Sequence, residues 1–316
     1  MGAVAASGRK ELMNQRSWSR RDFLRRTAAA GAVALGGGVV LGACQQVPQG
    51  GQGAGGGTLQ RARDAGSITV GIANEAPYGF TDENGNVTGE SVEVGRAVLG
   101  KLGIPQVNAV TVDFGALISG LTLSRQFDMI TAGMFINPER CQAAAFSVPD
   151  YTAPTAFLVP TGNPAGVQTF DQVRDQNLTL AVLSGAVEQG YATRSGVPEG
   201  NIQVLGDQNA LLQAVTTGRA QAAALTNISL NNVVSNNPGA GVEVTPGFFP
   251  TIEGEQVVSA GAFVFRRDDT DFVNAFNPEL TGMHQSGEWL QIAQPFGFTQ
   301  DNIPAADVTT ERLCAA

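Results

Sequence analysis

From about residue 61 onward, short apolar runs alternate with stretches whose apolar residues recur at helical spacing. Ile68–Ala73 reads as a buried strand. Gly89–Leu102, apolar at Val92, Val94, Ala97, Val98 and Leu102, predicts a helix that Gly103 stops. Val107–Val112 alternates as a strand, and Phe114–Leu123 predicts an amphipathic helix beginning beside Asp113. Met129–Thr131 is a strand-like run closed by a glycine, after which Phe135 looks exposed. Strand, helix, strand, helix, strand with short connections implies parallel pairing and layered α/β architecture.

The pattern then breaks and restarts. Ala156–Val159 is a strand with no helix before it. A helix near Phe170–Val173, a strand Leu178–Leu183 and a loop with helix over Ser184–Tyr191 follow. Next come a strand Ile202–Leu205, a helix Gln208–Thr217, a strand Ala222–Leu225 and a helix Asn227–Val234. Gln256–Phe265 predicts one late strand, followed only by helices, Asp271–Ser286 and Glu288–Ala293, with Gly287 as the break. The expected fold class is therefore α/β with two lobes, residues 61–156 with 262–316 forming one and residues 157–261 the other. The chain would cross between them twice, near Pro154–Val159 and Val257–Phe263, with a ligand cleft between the lobes.

The first 43 residues change this picture, because they read as an export leader rather than as fold. Ser19-Arg-Arg-Asp-Phe-Leu-Arg25 is a twin-arginine signature followed by a small apolar stretch to Ala43. That stretch ends in Leu41-Gly-Ala-Cys44, the pattern at which a lipoprotein leader is cut before a cysteine that receives lipid. Residues 44–60, rich in Gly and Gln, then predict a flexible tether. The leader holds seven of the 19 Lys and Arg and two of the 28 Asp and Glu, leaving 12 basic against 26 acidic residues, net −14. So acidic a mature chain argues against nucleic acid as a partner. Cys141 and Cys314 remain, either as a disulfide, which an oxidising compartment favours, or as two free thiols.

Candidate chemistry clusters just after strand runs. Glu75 with Tyr78, Phe114, Phe135 with Arg140, and Ser184-Gly185 with Asn227 all fall on one presumed rim. An arginine there is a fixed fork suited to a carboxylate, and an aromatic beside it offers a face to a cation or delocalised ring. Taken singly, each has a plainer reading, as a core aromatic or a surface ion-pair residue. His284, the only histidine, lacks ligand-spaced partners, so no metal is expected. The Ser184 region lacks a nucleophile frame, and the glycines of 185–190 lack a following Lys-Ser/Thr, so neither a triad nor a phosphate loop is expected.

With a lipid-anchor motif, two lobes and a Glu/aromatic/Arg rim, the chain resembles the type II substrate-binding proteins of polar amino-acid ABC importers, from about Ser67 to the C-terminus. Phe146-Ser-Val-Pro-Asp-Tyr151 is similar to that family's Phe-Ser-x-Pro-Tyr hinge segment, with an extra Asp. More narrowly, Ala132-Gly-Met-Phe-Ile-Asn-Pro-Glu-Arg-Cys141 and the ending Thr309-Thr-Glu-Arg-Leu-Cys-Ala-Ala316 resemble the ectoine/hydroxyectoine-binding branch. The resemblance implies a non-enzymatic, cofactor-free monomer outside the cytoplasm that gives a zwitterionic solute to a membrane permease and its ATPase. It implies Arg140 on the ligand carboxylate, Tyr78, Phe114 and Phe135 boxing a cyclic amidinium, and Glu75 accepting its N–H groups. Gly185, Ala186 and Asn227 would close from the second lobe. Amino-acid binders usually place Asp where Asn227 stands and Thr where Ala186 stands, which argues against a plain α-amino acid. Two competing readings stay open: another zwitterion or cationic amino acid, or an enzyme like the cyclohexadienyl dehydratases with Glu75 as acid or base.

Overall fold

The computed structural model describes residues 57–315. The twin-arginine signature, Cys44 and residues 44–56 of the expected tether lie outside that range. The first described element corrects the tether's end: Thr58–Ala65 is a helix, and Leu59 and Ala62 on its inner face are buried.

Two sheets organise the chain. In the first, the strand order is Gln106–Thr111, Ser67–Ile72, Met129–Phe135, Ala260–Phe265, Ala145–Phe146, with Tyr151–Thr152 also paired to Ala260–Phe265. In the second it is Ile202–Leu205, Leu180–Leu183, Ala222–Thr226, Thr155–Pro160, Val242–Val244. The central strands are buried along nearly their whole length, as expected when helices cover both faces. The chain passes from the first sheet to the second between Thr152 and Thr155, and returns between Val244 and Ala260.

Expected parallel pairing holds only where a helix connects the strands. Ser67–Ile72 lies parallel to Gln106–Thr111 and to Met129–Phe135, and Leu180–Leu183 lies parallel to both its neighbours. The two strands that end each passage, Thr155–Pro160 and Ala260–Phe265, pair antiparallel to Ala222–Thr226 and Met129–Phe135. A strand arriving from the other sheet has no crossover helix to turn it, so it enters in the opposite sense.

Other differences are local. The strand at Met129 runs on through Gly133 to Phe135. Gly133 takes φ +61°, and a Cβ there would stand 2.5 Å from the Tyr78 ring, so this glycine makes room for an aromatic rather than ending the strand. Phe114–Ala116 forms a 3₁₀ turn before the helix Leu117–Thr122, leaving Leu123 exposed beyond its end. The late strand is two pieces: Glu255–Gln256 hairpins with Thr251–Ile252, and Ala260–Phe265 alone joins the first sheet. Among the described residues, no helix is long and apolar enough to cross a membrane.

Where the chain passes between sheets, the extra Asp of the hinge segment has a partner. Asp150 and Glu90 are both buried, and Asp150 Oδ1 accepts from the Trp289 indole at 2.7 Å while Glu90 Oε2 accepts from the Ser91 hydroxyl at 3.0 Å. Burial pushes both carboxyls up. Asp150 raises Glu90 further, whereas the Trp289 N–H opposes the rise at Asp150. A folded-state pKa above the unfolded value gives stability that is complete below the ordinary carboxylate range and is lost as pH rises through the folded value. Unfolding free energy should therefore fall between pH 5 and pH 8. Asp150→Asn, which keeps an acceptor for Trp289, should flatten that fall by on the order of 1–3 kcal/mol, read by urea unfolding at the two pH values.

A disulfide joins Cys141 to Cys314, tying the helix Thr310–Ala315 to Pro138–Ala143 across a sequence separation of 173. Closing so long a loop restricts the unfolded chain. Reduction should cost about 2–5 kcal/mol of unfolding free energy, read as a lower urea midpoint in reductant.

Candidate functional site

The site is built from strand ends. Asn137 caps the helix Pro138–Ala143, its Oδ1 accepting from the Arg140 N–H at 2.8 Å, with Pro138 pre-set for the first helical position. This turn carries the Arg140 side chain inward, where it is 8% exposed. Its guanidinium donates to the Phe135 carbonyl and, from Nη2 at 2.7 Å, to the Gly185 carbonyl that follows the second sheet's Leu180–Leu183. Its Cζ stands 5.6 Å from the centroid of the Phe114 ring.

Glu75 sits in the loop after Ser67–Ile72 and is buried, with Oε1 accepting from the Ser229 hydroxyl at 2.9 Å. Burial pushes its carboxyl up to about 7. The Ser229 bond and Arg140 oppose the rise, and Glu188 adds to it. The Tyr78 hydroxyl shares a 2.8 Å hydrogen bond with Thr226 Oγ1, and its ring stacks on Tyr151 at 5.3 Å. Phe135 is buried, against the expectation that it is exposed, with its ring 6.0 Å from Tyr151. Gln208 adds a further bond across the lobes, from Nε2 to the Ala76 carbonyl at 2.7 Å.

Together these groups wall a cleft, lined by Glu75, Tyr78, Phe114, Phe135, Arg140 and Ala186 among the predicted residues. Gly185 lies at its margin. It takes φ +76°, and a Cβ there would meet the Gly115 Cα at 2.5 Å, so it permits backbone contact between the lobes and offers its carbonyl to Arg140.

Asn227 is the exception, since its side chain does not line the cleft. It lines a separate groove with Thr152, Asn231, Phe296 and Asn302. Thr226 ends the strand facing the cleft and caps the helix Asn227–Asn236, and one step further along that helix the chain has turned away. Besides Ala186, the residues that face the cleft from the second lobe are Val187, Glu188, Leu225 and Thr226. Thr226, a threonine closing an apolar run, is a favoured N-cap residue and marks this loop in the sequence; its hydroxyl accepts from the Ser229 N–H. Glu188 carries no such signal, because an acid in a helix's first turn ordinarily reads as a complement to the helix dipole.

Two α/β lobes closed on a small, mostly buried cleft with a guanidinium at one wall and a carboxyl at another define a receptor for a small solute of the type II binding-protein fold. Residues 68–299 match the bacterial extracellular solute-binding proteins, family 3, and the chain belongs to that family. It is a solute-binding protein of the ABC amino-acid transporter class, whose members work outside the cytoplasm with permease components. It is 36% identical over 261 residues to a probable amino-acid ABC transporter periplasmic-binding protein, y4tE, of Sinorhizobium fredii, spanning 82% of this chain and 86% of that one. Among solved structures, EhuB in complex with hydroxyectoine matches at 33% identity and TM-score 0.74, over 82% of this chain and 98% of that one. An ancestral arginine-binding protein bound to arginine matches at 25% identity and TM-score 0.64, over 74% and 99% respectively.

Proposed function

We propose that this receptor captures ectoine or hydroxyectoine, without catalysis, and delivers it to a membrane permease, the chain being exported by its twin-arginine leader and held at the membrane through lipidated Cys44. The observation that carries the reading is one cleft in which Arg140 and Glu75 are both buried and Tyr78, Phe114 and Phe135 supply the walls. A compatible solute offers little besides one carboxylate and one delocalised cation. Arg140 gives two N–H groups to the Phe135 and Gly185 carbonyls and keeps others for a carboxylate. A desolvated aromatic wall makes a cation–π contact worth about 2 kcal/mol. Glu75, buried in the cleft wall, accepts the cation's N–H groups. The match to the hydroxyectoine complex supports the same chemistry.

A second reading, a cationic amino acid such as arginine, is favoured by one observation: Glu188 puts another carboxyl in the cleft. A thermal-shift panel on the mature protein separates the two. Stabilisation by ectoine and hydroxyectoine above that by arginine, lysine, glutamine or glycine betaine is expected. Stabilisation by arginine alone would replace the ectoine reading.

A further inference from the structure

The cleft's charges do not cancel. Glu188, in the first turn of Val187–Arg194, is 1% exposed and lines the cleft together with Glu75 and Arg140. Its Oε1 accepts from the Thr155 hydroxyl at 3.3 Å, and neither Glu188 nor Glu75 forms an ion pair with a described residue. Arg140 is the only cationic residue among those lining the cleft. The titratable groups facing Glu188 are Glu75 from the loop after the first strand, Arg140 from Pro138–Ala143 and, on its own helix, Tyr191. Tyr78 and Tyr151 stand close to Glu75.

Two carboxylates against one guanidinium leave one uncompensated negative charge in a buried space, which is costly without a proton or a ligand cation. A neutral zwitterion adds one charge of each sign and removes none of the excess. A monocationic solute removes it entirely. Burial pushes both carboxyls up, so a proton on the pair is available near neutral pH.

We propose that Glu188 sets the net charge of the cleft, so that a neutral zwitterion is held together with one proton on the Glu75–Glu188 pair and a monocationic solute is held without it. The inference rests on the reading of this cleft as the solute site. The ligand's cation lies against Glu75 and keeps it ionised, and the proton resides on Glu188, where Thr155 supplies the remaining polar contact. Glu188 thus rejects anionic solutes and couples zwitterion capture to pH.

Titration calorimetry with ectoine at pH 6.5 and 8.5, each in two buffers of different ionisation enthalpy, reads the proton directly. The wild-type protein is expected to take up a fraction of a proton approaching one at pH 8.5, and to bind ectoine about tenfold more weakly there than at pH 6.5. Glu188→Gln keeps an acceptor for Thr155 and should lose the pH dependence, its own ectoine affinities at the two pH values agreeing within threefold, with no uptake linked to the pair. Wild-type binding without uptake at pH 8.5, or unchanged uptake in Glu188→Gln, overturns the proposal, and the wild-type result needs no variant. If ectoine gives no heat and arginine binds, the ectoine reading has failed and arginine carries the test. Wild-type protein should then bind arginine with no uptake and Glu188→Gln at least tenfold more weakly, whereas binding by the variant within threefold overturns the inference.

Discussion

Arg140→Ala should weaken ectoine binding by at least about 100-fold. The side chain is buried and aimed into the cleft, so it meets a carboxylate with most water excluded. Two charge-assisted hydrogen bonds at about 1.5–3 kcal/mol each set that lower bound. Arg140 also bridges the lobes through the Gly185 carbonyl, so alanine removes a closing contact as well as a ligand contact. Arg140→Lys restores the charge without the planar fork and should recover only part of the loss. Calorimetry on the three proteins checks the series, and near-normal affinity in Arg140→Ala would refute the assignment.

Phe135→Leu should lower ectoine affinity by about 30-fold, the equivalent of about 2 kcal/mol for a cation–π contact in a desolvated site. Leucine fills much of the same space at the end of Met129–Phe135, so folding stability should fall by only about 1–2 kcal/mol. Alanine would open a cavity beside Tyr151 and confuse the two effects. The diagnostic result is a large affinity change with a small change in urea midpoint; equal losses in both would assign Phe135 to the core alone.

Much of this architecture is legible in the sequence, because each sheet's strands are short apolar runs separated by helical spacing. Leu180–Leu183 and Ile202–Leu205 announce themselves that way. Strand direction is not written locally: Thr155–Pro160 and Ala260–Phe265 look like their neighbours, and only the route of the chain between sheets makes them antiparallel. The same holds for Gly133, whose role depends on Tyr78 packing above it from more than 50 residues earlier.

The first lobe's half of the cleft is equally legible, since Glu75, Tyr78, Phe114, Phe135 and Arg140 follow apolar runs and converge on one space. The second lobe's half is harder to read. Thr226 and Asn227 are adjacent, and which one faces the cleft depends on where the strand yields to the helix. Glu188 is hidden for a different reason, since nothing local distinguishes a buried acid in a first helical turn from a solvated one. The extra Asp150 stands out in the sequence, but its partner Glu90, 60 residues earlier, does not.

A crystal structure of the mature protein with ectoine tests the central claim most directly. The ligand carboxylate should lie within hydrogen-bonding distance of the Arg140 guanidinium and the ring between Tyr78, Phe114 and Phe135, its N–H groups toward Glu75. Ectoine bound in the groove beside Asn227, or in the cleft with its carboxylate turned away from Arg140, would contradict it.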